Sequence, residues 1–353
     1  MRSDIKMKKK ILPKNFEELL EKGDIKKLKS VFDTCDINAR GGYGKQTALA
    51  FDNCPYSLAK WLIKNGADIE ASDTWGNTPL HERSRSRKGK IKNLIELGAD
   101  INSKTASIGT PLHAAADSHN LANIMILVEA GAKINELNKA KLTPLEVALF
   151  GCSNIDIEET VKISAYLLAK GAKKSKKASE FVERIGSNFE FHRKNFNPRC
   201  VKKVSDALDE LYRLFGVAPV PPRVEHDIKK PIKVKSKNWK KQHDELWEML
   251  VPSSGCAETV QGEVIRISGR IHIELESNGG INWDNEYKKM ADAFFVLISS
   301  GKKITEKEMA VTETNIKEIK KKNGDSLQLA EVAVKWVLMN PKPVKLTKQK
   351  YKR

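Results

Sequence analysis

The sequence has few of the features that characterise secreted, membrane-spanning or disulfide-stabilised proteins. Its 353 residues include only five cysteines, with no CxxC pair and no cluster of histidines near them. This pattern indicates free thiols in a reducing cytosol and argues against a disulfide framework or a zinc site. No apolar run approaches the roughly 18 residues of a membrane span, and the N-terminus lacks the apolar core of a signal peptide. We therefore expect a cytoplasmic protein that does not cross a membrane.

Recognisable catalytic motifs are also absent from the sequence. The chain has no HExxH, GxSxG, glycine-rich phosphate loop or EF-hand pattern, and Cys256 in "SSGCAETVQGE" has no identifiable partner base. We therefore predict no catalytic residue, no metal and no cofactor. One alternative is an enzyme of unfamiliar motif within residues 239–340. A pocket in which Glu258, Arg266 and His272 converge would favour it.

Acidic residues are too few to balance the basic ones, and the net charge is +18. The excess lies in residues 1–14, 173–203, 218–241 and 341–353, so the rest of the chain is mildly acidic. Charge runs of this kind are usually solvated segments. An alternative function is nucleic-acid association through the lysine-rich linker and tails. A salt titration of binding to random nucleic acid separates the two interpretations.

The strongest positive signal is an internal repeat. The first marker is "TAL", "TPLH", "TPLH" and "TPLE", which begin at Thr47, Thr78, Thr110 and Thr143. A second marker keeps the same step in "NGADI", "LGADI" and "AGAKI", which end at Ile69, Ile101 and Ile134. Two markers in register at a period of 31 to 33 residues predict stacked supersecondary units.

The residue types of these markers suit the start of one helix and the end of another. A threonine caps the first helix, and the following proline occupies the first helical position, where a missing N–H costs nothing. The glycine of "GAD" supplies the positive φ that ends the second helix. We assign a structural role to the motif residues Thr78, Pro79, His81, Thr110, Pro111, His113, Thr143 and Pro144.

The pattern resembles the ankyrin repeat, over about residues 12–174. We count five units, namely 12–46, 47–77, 78–109, 110–142 and 143–174. The resemblance implies an all-α fold in which an ankyrin-repeat solenoid precedes a C-terminal helical domain. It also implies that His81 and His113 are structural hydrogen-bonding groups between repeats, with no catalytic or metal-binding role.

The remaining segments are assigned by composition and helical period. We predict a basic N-terminal segment (1–11), a helical extension capping the repeats (175–216), a Pro/Lys-rich linker (217–238), a helical domain (239–340) and a basic tail (341–353). Within the helical domain, "VPSSGCAETVQGEVIRISGR" resembles segments of uncharacterised bacterial proteins, from which no activity follows. We expect the polar residues of this region to form a solvated outer helix face: Glu258, Gln261, Glu263, Arg266, Arg270 and Glu274.

The resemblance implies a concave binding surface made of hairpin tips and exposed positions of the inner helices. Trp75 at one tip is either an exposed contact anchor or a residue packed on the neighbouring tip. The residues of this sequence at the predicted partner-binding positions are Arg40, Tyr43, Trp75, Arg85, Arg87, Lys88, Lys104, Asp117, His119 and Lys139.

The stretch "HERSRSRKGKIK" departs from the repeat because Arg83 and Ser84 replace a small apolar pair. A buried unpaired charge is strongly unfavourable, so we expect Arg83 to extend outward and its helix to be short or frayed. Arg85, Arg87 and Lys88 would then form a concave basic strip that contacts an acidic partner surface.

These observations favour a protein-binding function over catalysis. We predict an adaptor or inhibitor, of the kind found among bacterial immunity and regulatory proteins, that binds another protein with its concave repeat face. A secreted effector of a host-associated bacterium is a further alternative. The sequence does not predict the oligomeric state.

Overall fold

The computed structural model describes residues 7–353, which form two compact units. One unit extends to Phe189 and includes Asn197–Val220, and the other comprises Glu190–Phe196 and Pro221–Arg353. Within the described residues, no helix combines the length and apolar character needed to cross a membrane.

The first unit is built from successive helix pairs, as the repeat predicted. Its helices are α1 (Phe16–Lys22), α2 (Ile25–Thr34), α3 (Tyr56–Lys64), α4 (Pro79–Arg85), α5 (Ile91–Glu96), α6 (Pro111–Asp117), α7 (Leu121–Glu129), α8 (Pro144–Gly151), α9 (Ile157–Ala169), α10 (Lys176–His192) and α11 (Pro198–Phe215). In the unit that begins at Thr47, a 3-10 turn (Ala48–Ala50) takes the place of the first helix. Pro55 then precedes α3 and fixes an extended backbone there.

A small sheet lies at the start of this unit. It consists of β1 (Lys9–Ile11), β2 (Cys35–Gly41) and β3 (Gln46–Thr47), in the order β1-β2-β3. Strand β1 runs parallel to β2, and β3 runs antiparallel to it. Residues 7–11 of the predicted basic N-terminal segment therefore extend the first repeat hairpin, while residues 1–6 lie outside the described part of the chain.

The repeat motif has the conformation that its residue types predicted. Thr78, Thr110 and Thr143 precede helices that begin with proline, and each forms a capping box with the residue three positions later. The glycines after the second helices have φ values of 88° to 98°, which side chains rarely tolerate: Gly66, Gly98, Gly131 and Gly171.

The expectation for Arg83 was wrong. Its side chain has no solvent exposure, and α4 is seven residues long, the same length as α6. The guanidinium donates one weak hydrogen bond to the Lys90 carbonyl (3.4 Å), while Nε and Nη2 have no hydrogen bond at normal geometry within residues 7–353. Burial lowers the pKa of Arg83, which also interacts electrostatically with Cys54 and Asp52.

Two features accommodate the turn of the chain after α4. Gly89 packs directly on the Arg83 backbone, where a Cβ atom would lie 2.1 Å from the Arg83 carbonyl oxygen. In addition, the buried Asn123 amide of α7 donates to the carbonyls of Arg83 (3.2 Å), Ser84 (3.1 Å) and Ser86 (3.1 Å). The carbonyls at the end of α4 are thereby satisfied from the next repeat.

The second unit is an all-α bundle. Its helices are α12 (Trp239–Leu250), α13 (Val260–His272), α14 (Asn285–Ile298), α15 (Glu306–Ile319) and α16 (Ser326–Met339), and a π-helical turn (Ile273–Ser277) follows α13. The five helices lie within the predicted helical domain (239–340), and α13 begins at Val260 after its cap Thr259.

The predicted linker and tail both pack on this bundle. Ile232 is buried in the bundle core, and its N–H donates to the Pro341 carbonyl (2.7 Å). In the tail, the Val344 carbonyl accepts from the Val260 N–H (2.8 Å), and Tyr351 is buried. The linker from Pro221 onward and the tail therefore belong to the second compact unit.

The expected solvated face was wrong for four of its six residues, because Gln261, Glu263, Arg266 and Glu274 are buried. The other two, Glu258 and Arg270, are exposed as expected. Arg266 donates to Glu263 (2.6 Å and 2.8 Å), which also accepts from the Tyr351 hydroxyl. Burial acts to raise the pKa of Glu263, but these donors together lower it. Arg266, Glu263 and Tyr351 therefore form a polar cluster inside the bundle, to which the tail contributes Tyr351.

The Asn123 bridge generates a stability prediction. Asn123→Ala leaves the carbonyls of Arg83 and Ser84 without this donor, whereas Asn120 still donates to Ser86. We expect the substitution to destabilise the repeat unit by about 1–3 kcal/mol in urea unfolding. The matched control is Asn93→Ala, because Asn93 is the third residue of α5, as Asn123 is of α7, but makes no such bridge in the described structure. Equal losses in the two variants would contradict the assigned role.

Candidate functional site

The hairpin tips of the first repeats form an ordered, partly exposed surface. Arg40 does not point to a partner, because its Nη1 donates to the carbonyls of Ser72 (2.5 Å) and Lys45 (3.0 Å). Thr74 adds a backbone bond to the Gly44 carbonyl (3.0 Å) and a hydroxyl bond to the same oxygen (3.2 Å). Adjacent tips are therefore fastened to each other, and Arg40 supports the surface.

Tyr43 and Trp75 form what we call the tip platform. Their ring centroids are 5.6 Å apart, and the side chains are 95% and 51% exposed. The Trp75 ring rests on Gly44, where a Cβ atom would lie 2.6 Å from the ring. The backbone N–H of Trp75 donates to Asp73 Oδ1 (2.8 Å). The ring therefore packs on the neighbouring tip and also remains half exposed, while its role as a contact anchor stays a prediction.

The later tips carry lysines. Lys139 is exposed, whereas the exposed Lys104 forms a salt bridge with Glu136 (2.5 Å) in the next unit. Exposed ion pairs of this kind contribute little stability, so Lys104 remains available to exchange partners.

The three residues of the predicted basic strip do not lie on one surface element. Arg85 lies on the inner face, half exposed and 4.0 Å from Asp117, whereas Arg87 and Lys88 are exposed in the loop that follows α4. The cation of Arg85 is thus shared with a carboxylate of the next inner helix. Only Arg87 and Lys88 present unshared positive charge here.

His119 does not occupy the exposed position expected for it. It follows the end of α6 with φ of 51° and is 6% exposed. Its Nε2 is 2.9 Å from the Ala148 carbonyl in the following inner helix, so the ring connects two repeats. A direct contact between this side chain and a partner is disfavoured by its burial.

A pocket of about 320 Å³ opens on the inner face next to these residues. Four of its lining residues are acidic, and we call them the carboxylate pocket: Glu17, Glu21, Asp52 and Glu82. Gln46 and Arg85 also line it. Burial raises the pKa of Glu82, while nearby Arg85 lowers it. Sequence analysis missed this site, because the spacing of Glu17 and Glu21 places them together on α1 but Asp52 and Glu82 join them only through repeat stacking.

The histidines of the repeat motif connect consecutive units, as the resemblance implied. His81 Nδ1 accepts from the Thr78 N–H (3.2 Å), so Nε2 carries the proton and donates to the Gly109 carbonyl (2.9 Å). His113 repeats this arrangement between Thr110 (3.1 Å) and the Leu142 carbonyl (3.1 Å).

Glu146 occupies the equivalent position in the next unit and has the same function. It accepts from the Thr143 N–H (2.7 Å) and from the Ser175 hydroxyl (2.5 Å) ahead of α10. The sequence "TPLE" therefore extends the connection beyond the two histidines, which the sequence analysis did not recognise.

The residues that would favour an enzyme in the second unit do not converge. Arg266 is paired with Glu263 in the interior, His272 Nδ1 lies 2.9 Å from Ser326 Oγ, and Glu258 is exposed. A pocket of about 210 Å³ near Cys256 is lined by Glu258 but by neither of the other two. No group of three or more His, Cys, Asp or Glu side chains within residues 7–353 is arranged to hold a metal ion.

The motif histidines predict a pH dependence of stability. Burial lowers the pKa of His81 and of His113, so the folded repeats keep both rings neutral. Above the unfolded-state pKa of about 6.5 neither state gains protons, and stability is complete. Below it the unfolded state binds protons that the folded state excludes, so stability falls by up to about 1.4 kcal/mol per pH unit and histidine.

Urea unfolding at pH 7.5 and 5.5, followed by hydrogen exchange of peptides from α4 and α6, measures this effect. We expect the double variant His81→Gln/His113→Gln to be less stable at pH 7.5 but to lose less stability on acidification. An equal loss in the unsubstituted protein and the variant would show that these rings do not control the pH dependence.

Comparison with known proteins agrees with this architecture. A family model described as ankyrin repeats matches residues 47–138, in three copies. No curated protein matches the chain. The matched residues contain the helix pairs α4 with α5 and α6 with α7, the threonine caps and the connecting histidines. Residues 47–138 are therefore ankyrin repeats, which are protein–protein interaction modules.

Proposed function

We propose that this protein is an adaptor or inhibitor that binds a partner protein through the hairpin tips and inner face of its repeats. The tip platform carries the proposal. Two aromatic rings are exposed at neighbouring tips, yet the backbone beneath them is fixed by hydrogen bonds from Arg40 and Thr74.

A rigid exposed aromatic pair favours binding for two reasons. Tryptophan and tyrosine contribute disproportionately to interface free energy because they bury a large area. Their order before binding also reduces the side-chain entropy lost on association. Trp75 and Tyr43 satisfy both conditions, since they pack on each other and Trp75 packs on Gly44.

The partner surface opposite the later tips is proposed to be acidic. Lys104 and Lys139 extend from successive tips, and Arg87 and Lys88 are exposed at the far end of α4. Exposed positive charges of this kind increase the association rate with a negative surface and disfavour basic partners. This contribution weakens as salt increases.

The effect on the partner is proposed to be occlusion or bridging without catalysis. Ankyrin repeats are typically binding modules without enzymatic activity. A protein of this kind acts by covering a surface of its partner or by holding two partners together. An immunity protein that covers the active site of a toxin is one concrete form of such an inhibitor.

Affinity capture with and without the tip platform tests the proposal. The tagged chain is used to capture proteins from a nuclease-treated lysate of the native host at 0.15 M salt, so that bridging nucleic acid is removed. We expect Trp75→Ala to reduce recovery of the principal partner at least tenfold, because loss of an aromatic anchor costs about 2 kcal/mol or more.

Ile155→Ala is the matched control. Ile155 is 82% exposed and belongs to the same compact unit as Trp75, but it lies in the segment after α8, away from the hairpin tips. We expect this variant to capture the partner normally. A partner that is recovered equally with Trp75→Ala would place its contact elsewhere and contradict the proposal. Recovery of nothing but nucleic acid without nuclease treatment would favour the nucleic-acid alternative.

A further inference from the structure

We infer that the carboxylate pocket and the tip platform together bind a basic peptide segment of the partner, with one arginine or lysine side chain inside the pocket. The inference rests on the proposed function and specifies the partner further. The partner would then carry two regions: a basic segment that enters the pocket, and next to it the acidic surface that faces the later tips.

The charges of the pocket favour a cation. Glu17, Glu21, Asp52 and Glu82 contribute four carboxylates, whereas Arg85 is the single basic residue among the lining side chains. None of the four forms a salt bridge within residues 7–353, while Arg85 is 4.0 Å from Asp117 outside the pocket. Arg85 beside Glu82 and the buried Arg83 near Asp52 offset only part of this negative charge, so an anionic ligand would be repelled.

The shape of the pocket suits a long side chain with a charged end. Leu20, Ala50 and Phe51 provide apolar wall area, on which the methylene groups of arginine or lysine would pack. The residues that enclose this volume of about 320 Å³ come from α1, from the segment around the 3-10 turn and from α4. The walls thus belong to three consecutive repeat units and exist only in the stacked array.

The tip platform is an independent feature that also favours a cation. Exposed faces of tryptophan and tyrosine attract ammonium and guanidinium groups through the ring quadrupole. The platform and the pocket are continuous, because Gln46 lines the pocket and its side chain lies beside Gly44, on which Trp75 rests. One extended segment with two basic residues would contact both.

Two peptides that match in shape but differ in charge test this inference without knowledge of the partner. The probe is acetyl-Gly-Arg-Gly-Arg-Gly-amide, and its control has citrulline, a neutral isostere, at both arginine positions. Titration into the isotopically labelled full chain is followed by nuclear magnetic resonance. We expect the arginine peptide to shift the Trp75 indole signal and the amides of Gln46, Asp52 and Glu82, and the citrulline peptide to shift them at least threefold less.

Substitutions of single carboxylates or pairs then show which of them bind the arginine peptide. We expect Glu17→Gln/Glu21→Gln to weaken binding of the arginine peptide about three- to tenfold, and Glu82→Gln to weaken it in the same direction. Glu96→Gln/Glu129→Gln removes the same charge from the exposed outer helices α5 and α7 and is expected to leave binding unchanged. The inference fails if both double variants weaken binding equally, or if the citrulline peptide binds as well as the arginine peptide.

The outcome is separable from that of the proposed function. If partner capture depends on Trp75 but the arginine peptide does not bind, the adaptor or inhibitor proposal stands and the basic-segment inference is wrong. If the peptide binds in the pocket but capture does not depend on Trp75, the pocket is correctly assigned and the proposed function is wrong.

Discussion

The stacked repeats depend on one recurring interaction, a side chain that caps its own helix and bonds to the next unit. His81 and His113 each accept from a threonine N–H and donate to a carbonyl about 28 residues further on. Glu146 makes the corresponding connection to Ser175. Because each bond is buried, its loss would leave an unsatisfied polar group, so the spacing between tips is strongly constrained. The tip platform lies before these bonds along the chain, and the bonds of Arg40 and Thr74 between adjacent tips fix its spacing instead.

Much of the repeat architecture followed from short-range sequence signals. The threonine cap, the proline after it and the glycine of "GAD" determine local backbone geometry, so their consequences were predictable without tertiary information. The exposure of Tyr43 also followed from tip position, whereas the packing of Trp75 on a neighbouring tip was one of two alternatives that the sequence left open. The helices α12 to α16 were predictable for a similar reason, because helical periodicity reflects burial of one face.

The failures have a common physical cause, which is long-range contact. Arg83 is buried because Gly89 and the amide of Asn123, 40 residues away, close around the end of α4. Arg266 is buried because the tail crosses α13 and brings Tyr351 to the same carboxylate, that of Glu263. Helical periodicity describes which face of a helix is polar, but it does not indicate whether another segment covers that face. The carboxylate pocket went unrecognised for the same reason.

Hydrogen exchange of the full chain, alone and in complex with its captured partner, tests the central claim most directly. The claim is that a rigid surface of hairpin tips and inner helix faces is the contact surface. We predict slower exchange on binding in segments 42–46 and 73–77, and in the first turn of α4, with little change in the outer helices α5 and α7. Protection confined to the second unit, with the tips unchanged, would contradict the account.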